Sequence, residues 1–282
     1  MTNVLTAPGT DLRAALLTDA AAGLDLFPGM GLEEVNARAG LQTRIDAKYL
    51  LTPDVCAAFL AGLAELGEWS CLEIDGQRRF RYASTYFDTP DLLTYRQHRQ
   101  GRRRRFKIRT RHYVDTGYCA FEVKLKGARE ATDKQRIDHP RAYADRLTGQ
   151  ARRFLEDVLR STYRMSAPDS LAPAATTSYV RHTLVQRTGA ARVTFDTGLV
   201  CTAPSGQRVE ALPLWAVETK SDGSGGAAER LLWSLGARPL RISKYCLATA
   251  VLNPGLAANP WNRALHRWFG DRAGHRDRPG PR

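Results

Sequence analysis

The sequence has no apolar run approaching the ~18 residues of a membrane-spanning helix. Its first residues show no basic segment followed by an apolar one, so no secretory signal is expected. Cysteine is sparse. Cys56, Cys71, Cys119, Cys201 and Cys246 are odd in number, stand far apart and form no CxxC. That argues against a disulfide scaffold and a structural zinc site, and a reducing cytoplasm is the expected compartment. The six histidines form no HExxH or HxxxH pattern, and no GxSxG or Cys–His signature marks a covalent nucleophile. Acid is also short: 29 Asp and Glu stand against 42 Lys and Arg, a net charge of +13. Such a balance calls for a polyanionic partner, and composition alone does not choose among nucleic acid, an acidic membrane surface, a nucleotide and inorganic phosphate.

What is present begins with 282 residues, 43% of them hydrophobic, enough for a packed core. Thr52-Pro53-Asp54 opens a helix that runs through CAAFLAGLAEL to Gly67. Further helices are expected near 9–23, over 141–161, over AAERLLWSLG before Pro239, and from Asn259-Pro260 through WNRALHRWF. DRAGHRDRPGPR reads as a frayed basic tail. DGSGGAAER lacks the P-loop lysine, and Asp88-Thr89-Pro90-Asp91 reads as turn chemistry after a strand.

The other segments alternate with the strand period of two. Asp46 and Lys48 share a face with Arg44; Ile45, Ala47 and Tyr49 take the other. Arg105, Lys107, Arg109 and Arg111 alternate with Phe106, Ile108 and Thr110; Glu122, Lys124 and Lys126 alternate with Phe121, Val123 and Leu125. Tyr179 and Arg181, then Arg192 and Thr194, then Glu218 and Lys220 repeat the pattern. One such strand is an ordinary half-solvated strand. Six of them, with helices available to cover the apolar side, suggest an α+β fold: a barrel of about eight strands, apolar outward and charged inward. Two cations on adjacent same-face positions lie roughly 7 Å apart and repel by roughly 2 kcal/mol at an effective dielectric of ~20. A multiply charged anion removes that cost, and Asp46, Glu122 and Glu218 reduce it. Arg109→Ala and Lys124→Ala are each expected to weaken binding of such an anion by roughly 1.5–3 kcal/mol and to leave the fold intact. Arg102–Arg104 fall at a strand entrance, where they steer anions.

The ordered pieces RIDAKYLL, STYFDTPDLLTY, RFKIRTRHY, FEVKLK, SYVRHTL, RVTFD, AVETK and ISKY resemble a known family. It is the VTC-type polyphosphate polymerase domain of the triphosphate tunnel (CYTH-like) superfamily, and the likeness runs from about Arg44 to Asn253. It implies an eight-stranded antiparallel β-tunnel with a charged lumen and peripheral helices over 41–256. An N-terminal extension would occupy 1–40, and a helix with a disordered tail 257–282. It also implies Mn²⁺ or Mg²⁺, and transfer of the ATP γ-phosphoryl group to a growing inorganic polyphosphate chain. By the same likeness Lys48, Lys107, Arg109, Arg111, Lys124, Tyr179, Arg181, Arg192, Ser243 and Lys244 bind substrate, with Arg44 and Lys220 on the same faces. Glu218 matches the metal-binding acid and, with Arg109 and Lys244, is a catalytic candidate. Asp46 departs from the commoner Glu. Arg44 replaces the paired acids that tunnel triphosphatases favour, which tips the reading from hydrolase to polymerase. The rivals are a tunnel triphosphatase or nucleotide cyclase, a non-catalytic polyphosphate- or nucleotide-binding module, and, on charge alone, a nucleic-acid-binding protein. No aromatic platform beside the basic faces supports that last one.

Overall fold

The computed structural model describes residues 22–38, 45–127, 132–221 and 225–273. Arg44, most of the helix expected over 9–23 and most of the C-terminal tail lie outside them. In chain order the elements are β1 (Gly29–Met30), α1 (Leu32–Arg38), β2 (Ile45–Leu51), α2 (Pro53–Glu65), β3 (Trp69–Leu72), β4 (Phe80–Asp88), α3 (Leu93–Arg99), β5 (Phe106–Tyr113) and β6 (Cys119–Lys126). There follow β7 (Thr132–Asp138), α4 (Gly149–Tyr163), β8 (Ala172–Gln186), β9 (Arg192–Thr202), β10 (Arg208–Glu210), β11 (Trp215–Ser221), α5 (Ala227–Ser234), α6 (Lys244–Leu252) and α7 (Asn262–Phe269). The class is α+β, as expected. Eight strands follow the order β2-β11-β9-β8-β4-β5-β6-β7, and β11 runs antiparallel to β2 and β9, as do β4 to β5, β5 to β6 and β6 to β7. Among the described residues no ladder joins the end strands β2 and β7.

The chain divides into two compact units that interleave in sequence: residues up to Arg79 with 181–197 and 213–240, and residues 80–180 with 198–212 and 241–282. In the first unit Glu218 of β11 lies opposite Lys48 of β2 and Thr194 of β9, and Lys220 lies opposite Asp46 and Arg192. The alternate residues Tyr49, Leu51, Val193, Phe195 and Val217 are buried with Phe59, Leu60 and Leu63 of α2 and Leu232 of α5. Helix α2 starts with Pro53 and Asp54, although the Thr52 hydroxyl makes no capping bond, and the chain turns off at Gly67 with φ of +67°. At Gly62 a Cβ would meet Leu231 Cδ2 at 2.7 Å, so glycine permits the close approach of α2 and α5.

In the second unit β5 and β6 carry Phe106, Ile108, Phe121, Val123 and Leu125 on one face, buried against Ala151, Leu155, Val158 and Leu159 of α4. Each such large apolar side chain contributes roughly 1.5–3 kcal/mol by burial. Helix α4 begins later than expected. Thr148 accepts from the Ala151 amide as its cap, and only a 3₁₀ turn occupies Arg141–Tyr143. Helix α6 is absent from the sequence reading. All of Tyr245–Leu252 is buried, so the segment carries no amphipathic period to detect.

Candidate functional site

In the second unit, β5 brings Lys107, Arg109 and Arg111 onto the face opposite α4. Lys124 pairs with Lys107 in register, Glu122 with Arg109, and Ser84 with Arg111. Arg109 donates through Nε to Glu122 Oε2 at 2.7 Å and through Nη1 to the Tyr86 hydroxyl at 3.3 Å. Arg111 donates through Nη2 to the Tyr179 hydroxyl at 3.0 Å and through Nε to Ser84 Oγ at 3.4 Å, with its guanidinium carbon 5.4 Å from the Tyr82 ring centre. Tyr82 and Tyr179 stack with centroids 5.5 Å apart, and Lys244 Nζ sits 4.6 Å from the Tyr179 ring centre. Lys107 Nζ donates to Ser243 Oγ at 3.3 Å, and that same oxygen caps α6 at the Cys246 amide. Predicted residues from four separate sequence segments thus meet in one cluster.

Glu122 is the acid at the centre of this cluster, and it is fully buried. Burial pushes its carboxyl up. Arg109, then Arg111, Lys134 and Lys124, more than reverse that and hold it well below the usual carboxylate range. Lys134 Nζ lies 3.6 Å from Glu122 Oε1, an oxygen with no hydrogen-bond partner among the described residues. The expectation that Arg109→Ala leaves the fold intact does not survive this geometry. Arg109 is only 7% exposed, and its removal strands a buried carboxylate as well as relieving cationic repulsion.

Asp88, the last residue of β4, accepts from the amides of Thr89, Thr94 and Tyr95 and from the hydroxyls of Thr94 and Tyr245. It therefore starts α3 and fixes the residue that follows Lys244. Burial first, and the Asp88 charge next, push the Tyr245 phenol well above its ordinary range. Asp88→Ala removes a cap and strands a buried hydroxyl. It is expected to cost about 2–4 kcal/mol in urea unfolding, with Asp88→Asn costing less than half of that. Equal losses for the two would show that the acceptor network is not what matters.

In the first unit, Lys48 Nζ and Lys220 Nζ each lie 3.3 Å from Glu218 Oε1, and Lys220 Nζ lies 4.0 Å from Asp46 Oδ2. Arg181 makes a two-pronged contact with Asp196, Nε to Oδ1 at 2.6 Å and Nη2 to Oδ2 at 2.7 Å. Arg192 Nη2 donates to the Val35 carbonyl at 3.2 Å. Among the described residues no three His, Cys, Asp or Glu side chains gather as a metal cage. Glu218 is the acid of this group, and two ammonium groups share its Oε1.

The predicted residues thus fall into two groups. Lys48, Arg181, Arg192, Glu218 and Lys220 belong to the first unit, and Lys107, Arg109, Arg111, Lys124, Tyr179, Ser243 and Lys244 to the second. Arg44 lies outside the described residues. Tyr82, Tyr86 and Lys134 join the second group without having been singled out, because a strand's alternation names a face but not the neighbour across it. At the start of α5, Glu229 Oε2 would lie 2.9 Å from a Cβ on Gly226.

An antiparallel sheet whose strands carry charged side chains on one face, in each of the two units, defines the class of this architecture. The chain belongs to the VTC domain family, whose model matches residues 43–253. Solved structures similar to it include a provisionally assigned adenylate cyclase from Bacillus halodurans, 14% identical with a TM-score of 0.46 over 72% of this chain and 94% of that one. Another is a provisionally assigned adenylyl cyclase from Hippeastrum, described as having a dominant triphosphatase activity, 13% identical with a TM-score of 0.48 over 73% of this chain and 95% of that one. None of the curated proteins compared matches the chain. No helix among the described residues is long and apolar enough to cross a membrane.

Proposed function

We propose that this protein is a metal-dependent polyphosphate polymerase that transfers the γ-phosphoryl group of ATP to the end of an inorganic polyphosphate chain. The observation that supports this best is Arg111. Its guanidinium is 8% exposed, is held by two hydroxyls and an aromatic face, and has no carboxylate within ion-pair distance among the described residues. Its charge also acts on Glu122, but that one carboxylate is shared with Arg109, Lys134 and Lys124, so the cluster keeps an excess of positive charge that an anionic ligand offsets.

In the transfer, a terminal oxygen of the polymer forms a bond to the γ-phosphorus, and the bond from that phosphorus to the ADP oxygen breaks. The electron pair leaves with ADP. Such transfers need alignment and charge neutralisation more than covalent help. Arg111 presents a fixed fork to phosphate oxygens, and Lys107, Lys124 and Lys244 supply point charges. Glu218 would hold Mn²⁺ or Mg²⁺, which would supply charge neutralisation for phosphate, and Lys48 and Lys220 beside it would contact phosphate oxygens.

The deciding experiment incubates the protein with ATP and Mn²⁺ and resolves the products. ADP with polymer is expected; ADP with free phosphate alone would make it a triphosphatase, and no turnover would make it a binding module. Lys124→Ala is expected to weaken tripolyphosphate binding by about 1.5–3 kcal/mol with no change in melting beyond ~1 kcal/mol, because Lys124 lies at the half-exposed end of its face. Wild-type affinity in calorimetry would remove Lys124 from the site.

A further inference from the structure

The turn between α3 and β5 carries cations that the proposed site leaves unused. Two cavities flank it. One, of about 570 Å³, is lined by Arg96, Gln97, Gln100 and Arg102–Arg104, with Leu93 and Met165. The other, of about 360 Å³, is lined by Arg103, Arg104, Lys126, Gly127, Thr162 and Tyr163. Arg103 and Arg104 border both, and among the described residues no carboxylate lines either. The turn is braced from within. Arg105 Nη1 donates to the Arg102 carbonyl at 2.6 Å, and Arg102 Nε to Gln100 Oε1 at 2.9 Å. Arg96 is held by Asp91. Arg103 and Arg104 are exposed, and neither has an ion-pair or hydrogen-bond partner among the described residues.

These cavities continue the charged face of β6. Lys126 lines the second cavity and stands two residues beyond Lys124, on the same side of the strand. Its amide donates to the Arg105 carbonyl at 3.1 Å, which ties the end of β6 to the basic turn. From Lys107 and Lys124, cations therefore run through Lys126 to Arg103 and Arg104 within one unit.

We propose that this groove is an accessory binding site for long inorganic polyphosphate, holding the polymer beyond the residues that contact a triphosphate. The identity of the polyanion rests on the polymerase reading. A nucleic acid fits the lining less well, because bases need aromatic faces to stack on. Tyr163, the one aromatic in either lining among the described residues, is buried with its hydroxyl tied to the carbonyls of Arg105 and Lys126. A membrane also fits less well, since the lining presents no exposed large apolar side chain: Leu93 and Met165 are half-buried.

The test uses the full chain without metal and measures affinity for long-chain polyphosphate and for tripolyphosphate. Wild type is expected to prefer the long chain. The double variant Arg103→Glu/Arg104→Glu should lose about tenfold in affinity for the long chain, keep its tripolyphosphate affinity within about twofold, and show a shallower salt dependence. An unchanged long-chain affinity overturns the groove, as does an equal loss for tripolyphosphate. Single-stranded RNA or anionic vesicles competing as well as polyphosphate would overturn the ligand assignment. Because the readout is binding, it stands apart from the product assay. A protein that makes no polymer yet shows this length-selective loss keeps the groove and loses the polymerase reading. A polymerase whose variant binds long chains normally does the reverse.

Discussion

Glu218→Gln should lower metal-dependent turnover by about 10³-fold, the ~4 kcal/mol that one electrostatic contact to the transferring group can supply. The substitution keeps the size of the side chain and removes its charge, and with it most hard-metal affinity. Metal-free tripolyphosphate binding should persist or strengthen, because Lys48 and Lys220, each 3.3 Å from the carboxylate, are released to act on the ligand. A purely structural ion pair makes the opposite forecast: lower stability, with turnover per folded molecule nearly intact. Turnover with Mn²⁺ and a urea melt on the same sample separate the two. Polymer synthesis at the wild-type rate in Glu218→Gln would falsify the metal assignment.

The second large effect is on stability. Arg109→Ala should cost about 3–5 kcal/mol, because it leaves Glu122 buried beside an empty space. Adding Glu122→Gln should return most of the loss, since it removes the stranded charge. The pH dependence follows from the depressed carboxyl of Glu122. A group whose folded pKa lies below its unfolded value stabilises fully above the unfolded value, ~4.3 for Glu, and loses that contribution as pH falls through the folded value. Wild type should therefore lose stability below about pH 4.3, and Glu122→Gln should lose less over the same window. If Arg109→Ala melts like wild type, the buried pair is not what holds this face.

Much of the fold was legible because strand alternation is local. The placement of Ile108 and Val123 under α4, and of Val193 in the core with α2, follows from a period of two in the sequence. Pro53 and Gly67 likewise mark the ends of α2 with little help from tertiary context. Helix α6 was illegible for the opposite reason: burial on every side erases the polar stripe that reveals a helix. Asp88-Thr89-Pro90 was readable as a turn, but its tie to Tyr245 joins residues 157 apart and has no local signature.

By itself the sequence determined the cationic character of this protein, the residues that share the charged face of each strand, and the family whose motifs it carries in order. Only the tertiary structure decided which charge meets which. Side-chain period names a face but not the neighbouring strand or its register. Arg109 thus lies against Glu122 and is committed to a buried pair, while Arg111, two residues on and alike in sequence, lies against Ser84 and Tyr179. The difference comes from what stands opposite each arginine, a carboxylate in one case and hydroxyls in the other.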